Sequence, residues 1–309
     1  MTERARLRRG FALLAVLLVM VTASLLGLAA ALTGRIAFDA AGNRVTAERA
    51  AWRARGCAER AVAAADAALE AARTLDAAEI VWRTLDAHVA RSPLFPVASC
   101  AVALEAAGSR LDVNAATDEQ LRRLFDALGH RGDAEAMADA IVDWRDEDEL
   151  PRPMGAERDA YDGRRQLLPR NAPFADAREL RQVRGLALLD LAGVLDVEPG
   201  RISVHNAPAP VLGAVPGFTE ETVRLILQLR DDERTIREIP ALAGMLSTAS
   251  ANELMARYQD VARMATVDPD GWIVRATAGG GYREARAVLE WRIVRTGRRV
   301  TIVRQRSLA

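Results

Sequence analysis

Residues 8–32 read RRGFALLAVLLVMVTASLLGLAAAL, and this stretch decides how the rest of the chain is organised. From Phe11 to Leu32 there are 22 residues without a charge. As a helix they would extend roughly 33 Å, enough to cross a bilayer. The ten residues before them carry Arg4, Arg6, Arg8 and Arg9 against Glu3. Arginines on that flank hold the N-terminus in the cytoplasm and place the remainder on the far side. The competing reading is a cleaved secretory signal, with Ala29-Ala30-Ala31 as the small-residue site. Signal cores are shorter, about 7–15 residues, so a retained single-pass anchor is expected.

Helix-forming residues continue beyond the anchor. From Arg44 to Thr74 there is no proline and only Gly56 interrupts, which predicts a long helix with a thin apolar stripe through Val45, Trp52 and Ala63. After Pro93 and Pro96 the pattern shortens. Ala98–Glu105 and Arg110–Val113, separated by Ala107-Gly108-Ser109, read as a hairpin. At the other end, 271–277, 287–295 and 299–305 read as strands of an antiparallel sheet packed on the long helix. Leu289, Trp291 and Ile293 alternate with Glu290 and Arg292, which predicts one buried and one wet face.

Between these strands the chain turns helical. Thr117 and Gln120 stand in capping-box register before a helix, and 134–144 is a second one. Three units resemble helix-hairpin-helix pairs: 117–144, 174–186 and 206–231. In such pairs, hairpin glycine amides can hold a DNA phosphate. Glu220 and Glu221 follow Gly217, however, and their charge would repel phosphate. Structural packing is therefore the preferred role, and no nucleic acid is expected as a partner.

The 309 residues hold 42 basic and 42 acidic side chains, and every basic one is arginine. Two cysteines exclude a disulfide-rich scaffold or a cysteine-rich zinc site. His88, His130 and His205 form no HExxH pair, and no GxSxG, GxxxxGK[ST] or CxxC motif occurs. Cys57 and Cys100 are the candidate disulfide, with two separate small buried thiols as the alternative. Residues 139–162 carry Asp139, Asp143, Asp146, Glu147, Asp148, Glu149, Glu157, Asp159 and Asp162 against Arg145, Arg152 and Arg158, a local charge of −6. By composition this is a solvated acidic loop or an oxygen-rich cation site, without EF-hand spacing. A carboxylate dyad for hydrolysis lacks any nucleophile or histidine partner, so no enzyme activity is expected.

The basic leader ending Arg9-Gly10-Phe11 resembles the processing site of type IV prepilins and pseudopilins. The resemblance implies cleavage after Gly10 and methylation of Phe11 by a prepilin peptidase. Those families mostly carry Glu at the fifth mature position, where this chain has Ala15. Lacking that acid, and carrying LDVNAATDEQL, AIVDWRDEDELPRPMGAERDAY, PRNAPFADARELRQVRGL and HNAPAPVLGAVPGF in order, the chain resembles the family of general secretion pathway protein K, the K-type minor pseudopilins of type II secretion. That resemblance implies an α+β, pilin-like body with a large inserted all-helical domain. Its expected parts are a leader (1–10), a transmembrane helix (11–32), the first part of the body (33–111), the insert (112–267) and closing strands (268–309). It further implies a position at the pseudopilus tip in the inner membrane, a periplasmic body and a role in protein export. The implied partners are I- and J-type minor pseudopilins, the prepilin peptidase and the inner-membrane assembly platform. Calcium is the implied cofactor, with Asp143, Asp146, Asp148, Glu157 and Asp159 as its ligands, although Arg158 stands where the family has an acid. The alternative function is a membrane-anchored helix-hairpin-helix DNA-binding protein of an uptake system.

Overall fold

The computed structural model describes residues 3–94, 100–161, 168–279 and 285–308, with side chains from Leu14 onward. Helix α1 runs unbroken from Glu3 to Ala71. At 69 residues it is roughly 100 Å long. From Leu14 to Arg49 its side chains are almost all exposed, and burial begins at Ala50. Among the described residues, a chain starting near Arg44 therefore keeps every buried side chain.

The buried face of α1 is made of small residues. Ala54, Ala58, Ala61 and Ala65 have no exposed surface, and Leu69 closes the stripe. The spacing of three to four residues puts them on one side of the helix. Two short helices, α2 (Leu75–Arg83) and α3 (Leu85–Ala90), fold back beside it. Strand β1 (Cys100–Ala106) then opens a four-stranded antiparallel sheet completed by β6 (Trp272–Ala278), β7 (Ala287–Thr296) and β8 (Arg299–Leu308), in the order β1-β6-β7-β8. Trp82, Trp272 and Trp291 fill the space between alanine face and sheet. Trp82 and Trp272 meet edge to face at 6.4 Å. Each indole N–H is satisfied, Trp82 donating to the Pro269 carbonyl (2.8 Å) and Trp272 to the Trp82 carbonyl (2.9 Å). A disulfide joins Cys57 of α1 to Cys100 at the start of β1, with Cα atoms 6.6 Å apart.

The insert separates β1 from β6. It contains β2 (Leu111–Asp112), α4 (Asp118–Ala127), α5 (Ala134–Arg145), the single turn α6 (Arg158–Tyr161), β3 (Leu195–Asp196), β4 (Ile202–Ser203), α7 (Ala209–Gly213), α8 (Glu220–Asp231), α9 (Thr248–Ala256), α10 (Tyr258–Met264) and β5 (Ala265–Thr266). Its core is separate from that of the sheet body and is built around Phe125, Ile141, Trp144, Leu195, Val211 and Phe218. The capping box at the head of α4 forms, with Thr117 and Gln120 each holding the other's amide.

Four expectations need correction. The segment 110–113 makes no hairpin with β1. Gly108 sits at φ +81° and a Cβ there would lie 1.8 Å from the Arg201 carbonyl oxygen, so the chain turns into the insert, where β2 pairs in parallel with β3. The insert is not all-helical, because β2–β3 and β4–β5 are parallel strand pairs. The second expected hairpin unit has a 3-10 turn at 177–182 and turns, not a helix, after Gly185. The outer face of the sheet is not wet throughout. Glu290 is 1% exposed, because the insert covers it.

That covering is ionic. Glu198 of the insert, itself buried, accepts from Arg304 and lies 3.1 Å from Arg306 and 3.6 Å from Arg292. Glu290 is held by Arg275 at 2.8 Å and by Arg306. On the opposite face Arg299 reaches Asp66 (2.8 Å) and Glu70 (2.5 Å) of α1. Most arginines of the C-terminal strands are thus spent inside the chain.

The disulfide closes a separation of 43 residues. Replacing both cysteines by serine should lower the unfolding free energy by about 4 kcal/mol on the chain-entropy estimate. Urea unfolding of a chain beginning near Arg44 measures this. A change near zero would mean that α1 and β1 are held by packing alone.

Candidate cation site on the acidic loop

Helix α5 ends at Arg145, whose guanidinium donates to the carbonyls of Val113 and Ala116. The chain then leaves the helix at Asp146 and crosses the acidic loop to Glu157. Three carboxylates converge there. Oxygen atoms of Asp146, Asp148 and Glu157 all lie within 4.8 Å of one another.

The loop is shaped by two other acids. Asp143 has no exposed surface and accepts from the amides of Arg152 (3.2 Å) and Ala156 (2.8 Å). Asp139 accepts from the Met154 amide at 3.1 Å. A Cβ on Gly155 would lie 1.9 Å from an Asp143 oxygen, so only glycine lets the loop close on that carboxylate. This is the physical content of the Gly155-Ala156-Glu157 element: Gly155 gives room, Ala156 gives the amide, and Glu157 is delivered to the cluster.

The segment 169–174 backs the site. Asn171, at φ +47°, donates its side-chain amide to the Asp148 carbonyl (2.8 Å) and its backbone amide to the Trp144 carbonyl (3.1 Å). Phe174 stacks on Trp144 with centroids 6.3 Å apart and exchanges two hydrogen bonds with Asn114. The motifs containing Asn114, Trp144, Gly155 and Asn171 are therefore one structure, although they span about sixty residues of chain.

The electrostatics are those of a site short of positive charge. Both oxygens of Glu157 and one of Asp146 are buried, and none meets a donor in good hydrogen-bond geometry among the described residues. Desolvation, added to the charges of Asp143 and Asp146, pushes the Glu157 carboxyl up to about 7, only partly opposed by the Arg158 amide. Burial, then the charges of Asp148 and Asp143, also raises Asp146. Orphaned, all-oxygen donors of this kind suit a hard cation.

Of the five residues expected as ligands, the structure brings together Asp146, Asp148 and Glu157. Asp143 lies outside that group and accepts from the backbone amides of Arg152 and Ala156, mainly through one oxygen. Asp159 lies in the exposed turn α6, outside the group. Asp162 lies outside the described residues. Asn171 stands outside the five expected ligands, and its sequence signal is its place directly before Ala-Pro-Phe. Gly10 and Phe11 fall within α1, before the first described side chain.

The DNA-type hairpins differ from one another. A Cβ at Gly217 would lie 3.0 Å from Arg257 and from Val261, so α9 and α10 pack over that turn, whereas a Cβ at Gly129 would meet nothing within 4 Å.

Residues 101–194 match the family model described as Type II secretion system (T2SS), protein K. No curated protein sequence matches the chain. Among solved structures, a chain of the GspK-GspI-GspJ complex from the enterotoxigenic Escherichia coli type 2 secretion system has the same fold. The TM-score is 0.57 at 19% identity, over 85% of this chain and 96% of that one.

The raised Glu157 value has a signed consequence. Its folded value lies above its ordinary 4.5, so the stability it contributes is complete below about pH 4.5 and is lost as pH rises through about 7. With a chelator present, thermal unfolding should therefore fall in temperature between those values, and Glu157→Gln should flatten that slope. A Glu157→Gln profile identical to the parent would remove Glu157 as its source.

Proposed function

We propose that this chain, whose residues 101–194 match the family model of type II secretion system protein K, acts as a minor pseudopilin at the tip of the type II secretion pseudopilus. The observation that carries the reading is the coincidence of two facts. The family match runs from β1 through the first part of the insert, and 85% of the chain shares the architecture of a chain from the GspK-GspI-GspJ complex. The task is then assembly and export, not catalysis. A bulky insert on one end of a pilin-like body would stop another subunit stacking there. The apolar run of α1 is long enough to cross a membrane, and its exposed surface suits lipid and neighbouring helices. Processing after Gly10, with methylation of Phe11, belongs to the same proposal, as do the inner membrane, the prepilin peptidase and the assembly platform. The partners proposed are the I- and J-type minor pseudopilins.

Calcium is the proposed ion of the acidic loop, held by Asp146, Asp148 and Glu157. Its contribution would be charge: it offsets the repulsion of the three carboxylates and ties α5 to the loop beyond it. Because the ligands must be deprotonated, affinity should rise with pH through about 7. Calorimetric titration of a chain beginning near Arg44 should show binding that Glu157→Gln weakens by roughly tenfold or more. Absence of calcium heat, and of any rise in melting temperature, would sink the ion.

The assembly reading is tested by mixing the purified chain with its I- and J-type candidates and measuring the mass of the product. A stable complex of all three is expected, and none at micromolar concentration would overturn the reading. Mass spectrometry of the protein from its native membrane should find Phe11 as the first residue, methylated. Salt-sensitive binding to duplex DNA would instead favour the uptake protein.

A further inference from the structure

The sheet has two edges, and they are treated differently. The β8 edge is blunted. It carries Arg299, Arg304 and Arg306, and a bulge opposite Arg292 and Ile293 breaks its register. Arginines and bulges are the usual devices against edge-to-edge pairing. The β1 edge has neither. Cys100–Ala106 reads CAVALEA, without proline or basic residue, and pairs with β6 in seven uninterrupted steps.

The hydrogen-bond phase fixes what this edge offers. The Ala107 amide donates to the Gly271 carbonyl at 2.8 Å, so odd-numbered residues of β1 form the bonded pairs with β6. The amide and carbonyl groups of Cys100, Val102 and Leu104 then point away from the sheet. No backbone partner for them occurs among the described residues. Side chains agree with that reading. Val102 and Leu104 lie on the helix-packed face yet are only partly buried, and β1 has no strand beside it on that edge among the described residues. Ala101 and Ala103, on the opposite face, are exposed and small.

We propose that the β1 edge is an interaction surface that takes an extended strand from a partner pilin-like body, adding a fifth strand beside β1. The backbone groups dictate an extended polypeptide, since a helix cannot offer donors and acceptors at strand spacing. The half-buried Val102 and Leu104 call for apolar residues at alternate positions of that strand. The inference rests on the pseudopilin reading and specifies where on this chain one partner docks.

The test uses the full chain in detergent with the purified soluble bodies of the I- and J-type minor pseudopilins. Amide hydrogen exchange on complex formation should slow at Val102 and Leu104 by about tenfold or more. A Val102→Pro chain removes one outward donor and no internal bond, because edge strands tolerate proline where the N–H faces outward. It should keep the Cys57–Cys100 bond and its melting temperature but bind about tenfold more weakly. Should that variant misfold, the exchange measurement on the unaltered chain still decides. A complex that leaves Val102 and Leu104 unprotected overturns the edge assignment alone. Failure of any complex to form overturns the pseudopilin reading and the edge assignment with it. Protection that grows with the concentration of this chain alone, with a doubled mass, overturns the proposal in favour of self-pairing.

Discussion

The packing of alanines against tryptophans underlies the whole molecule. Ala54, Ala58, Ala61 and Ala65 let the sheet approach α1 closely, and Trp82, Trp272 and Trp291 supply the bulk that the alanines lack. Large buried aromatics contribute most of the apolar area in such an interface. The two indole hydrogen bonds also fix the position of α2 relative to β6, because each links one segment's ring to the other's backbone or its immediate flank. The insert leaves the sheet at Ala107 and returns at Gly271, both within one residue of this packed layer. Its placement is therefore set by the sheet.

Charge then joins the two cores. Glu198 and Glu290 are buried carboxylates that would be costly alone, and arginines from β6, β7 and β8 surround them. A buried ion pair adds modest stability against apolar residues of the same size, but removing one partner leaves a buried charge and is expensive. The seam therefore specifies one relative position of insert and sheet more than it strengthens either. The net charge of zero arises in this way: the arginine excess of the C-terminal strands answers acids from elsewhere in the fold.

The meeting of acids in the acidic loop was legible only in part. Composition and motifs pointed to the stretch in which Asp146, Asp148 and Glu157 meet. Which carboxylates converge depends on where backbone amides already satisfy them. Asp143 looks equivalent to Asp146 in sequence, yet Gly155 and Ala156 fold onto it, so that it accepts backbone amides and does not join the group formed by Asp146, Asp148 and Glu157. Asn171 and Phe174 reach the site across a long loop, and spacing carries no information about such contacts.

The sequence alone determined the elements with local causes. The uncharged run after Arg9, the helix formers to Ala71, the capping box of Thr117 and Gln120, and the alternation in the C-terminal strands are all properties of neighbouring residues. Each shows as a period or a cap. Tertiary structure decided the rest: that 111–112 pairs with 195–196 and not with β1, that Glu290 on the outer sheet face is buried, and that three of five acids meet. These outcomes depend on which distant group reaches a backbone amide or a buried charge first. Hydrophobic periodicity reports that a face is buried, but the energy of satisfying its polar atoms selects what buries it.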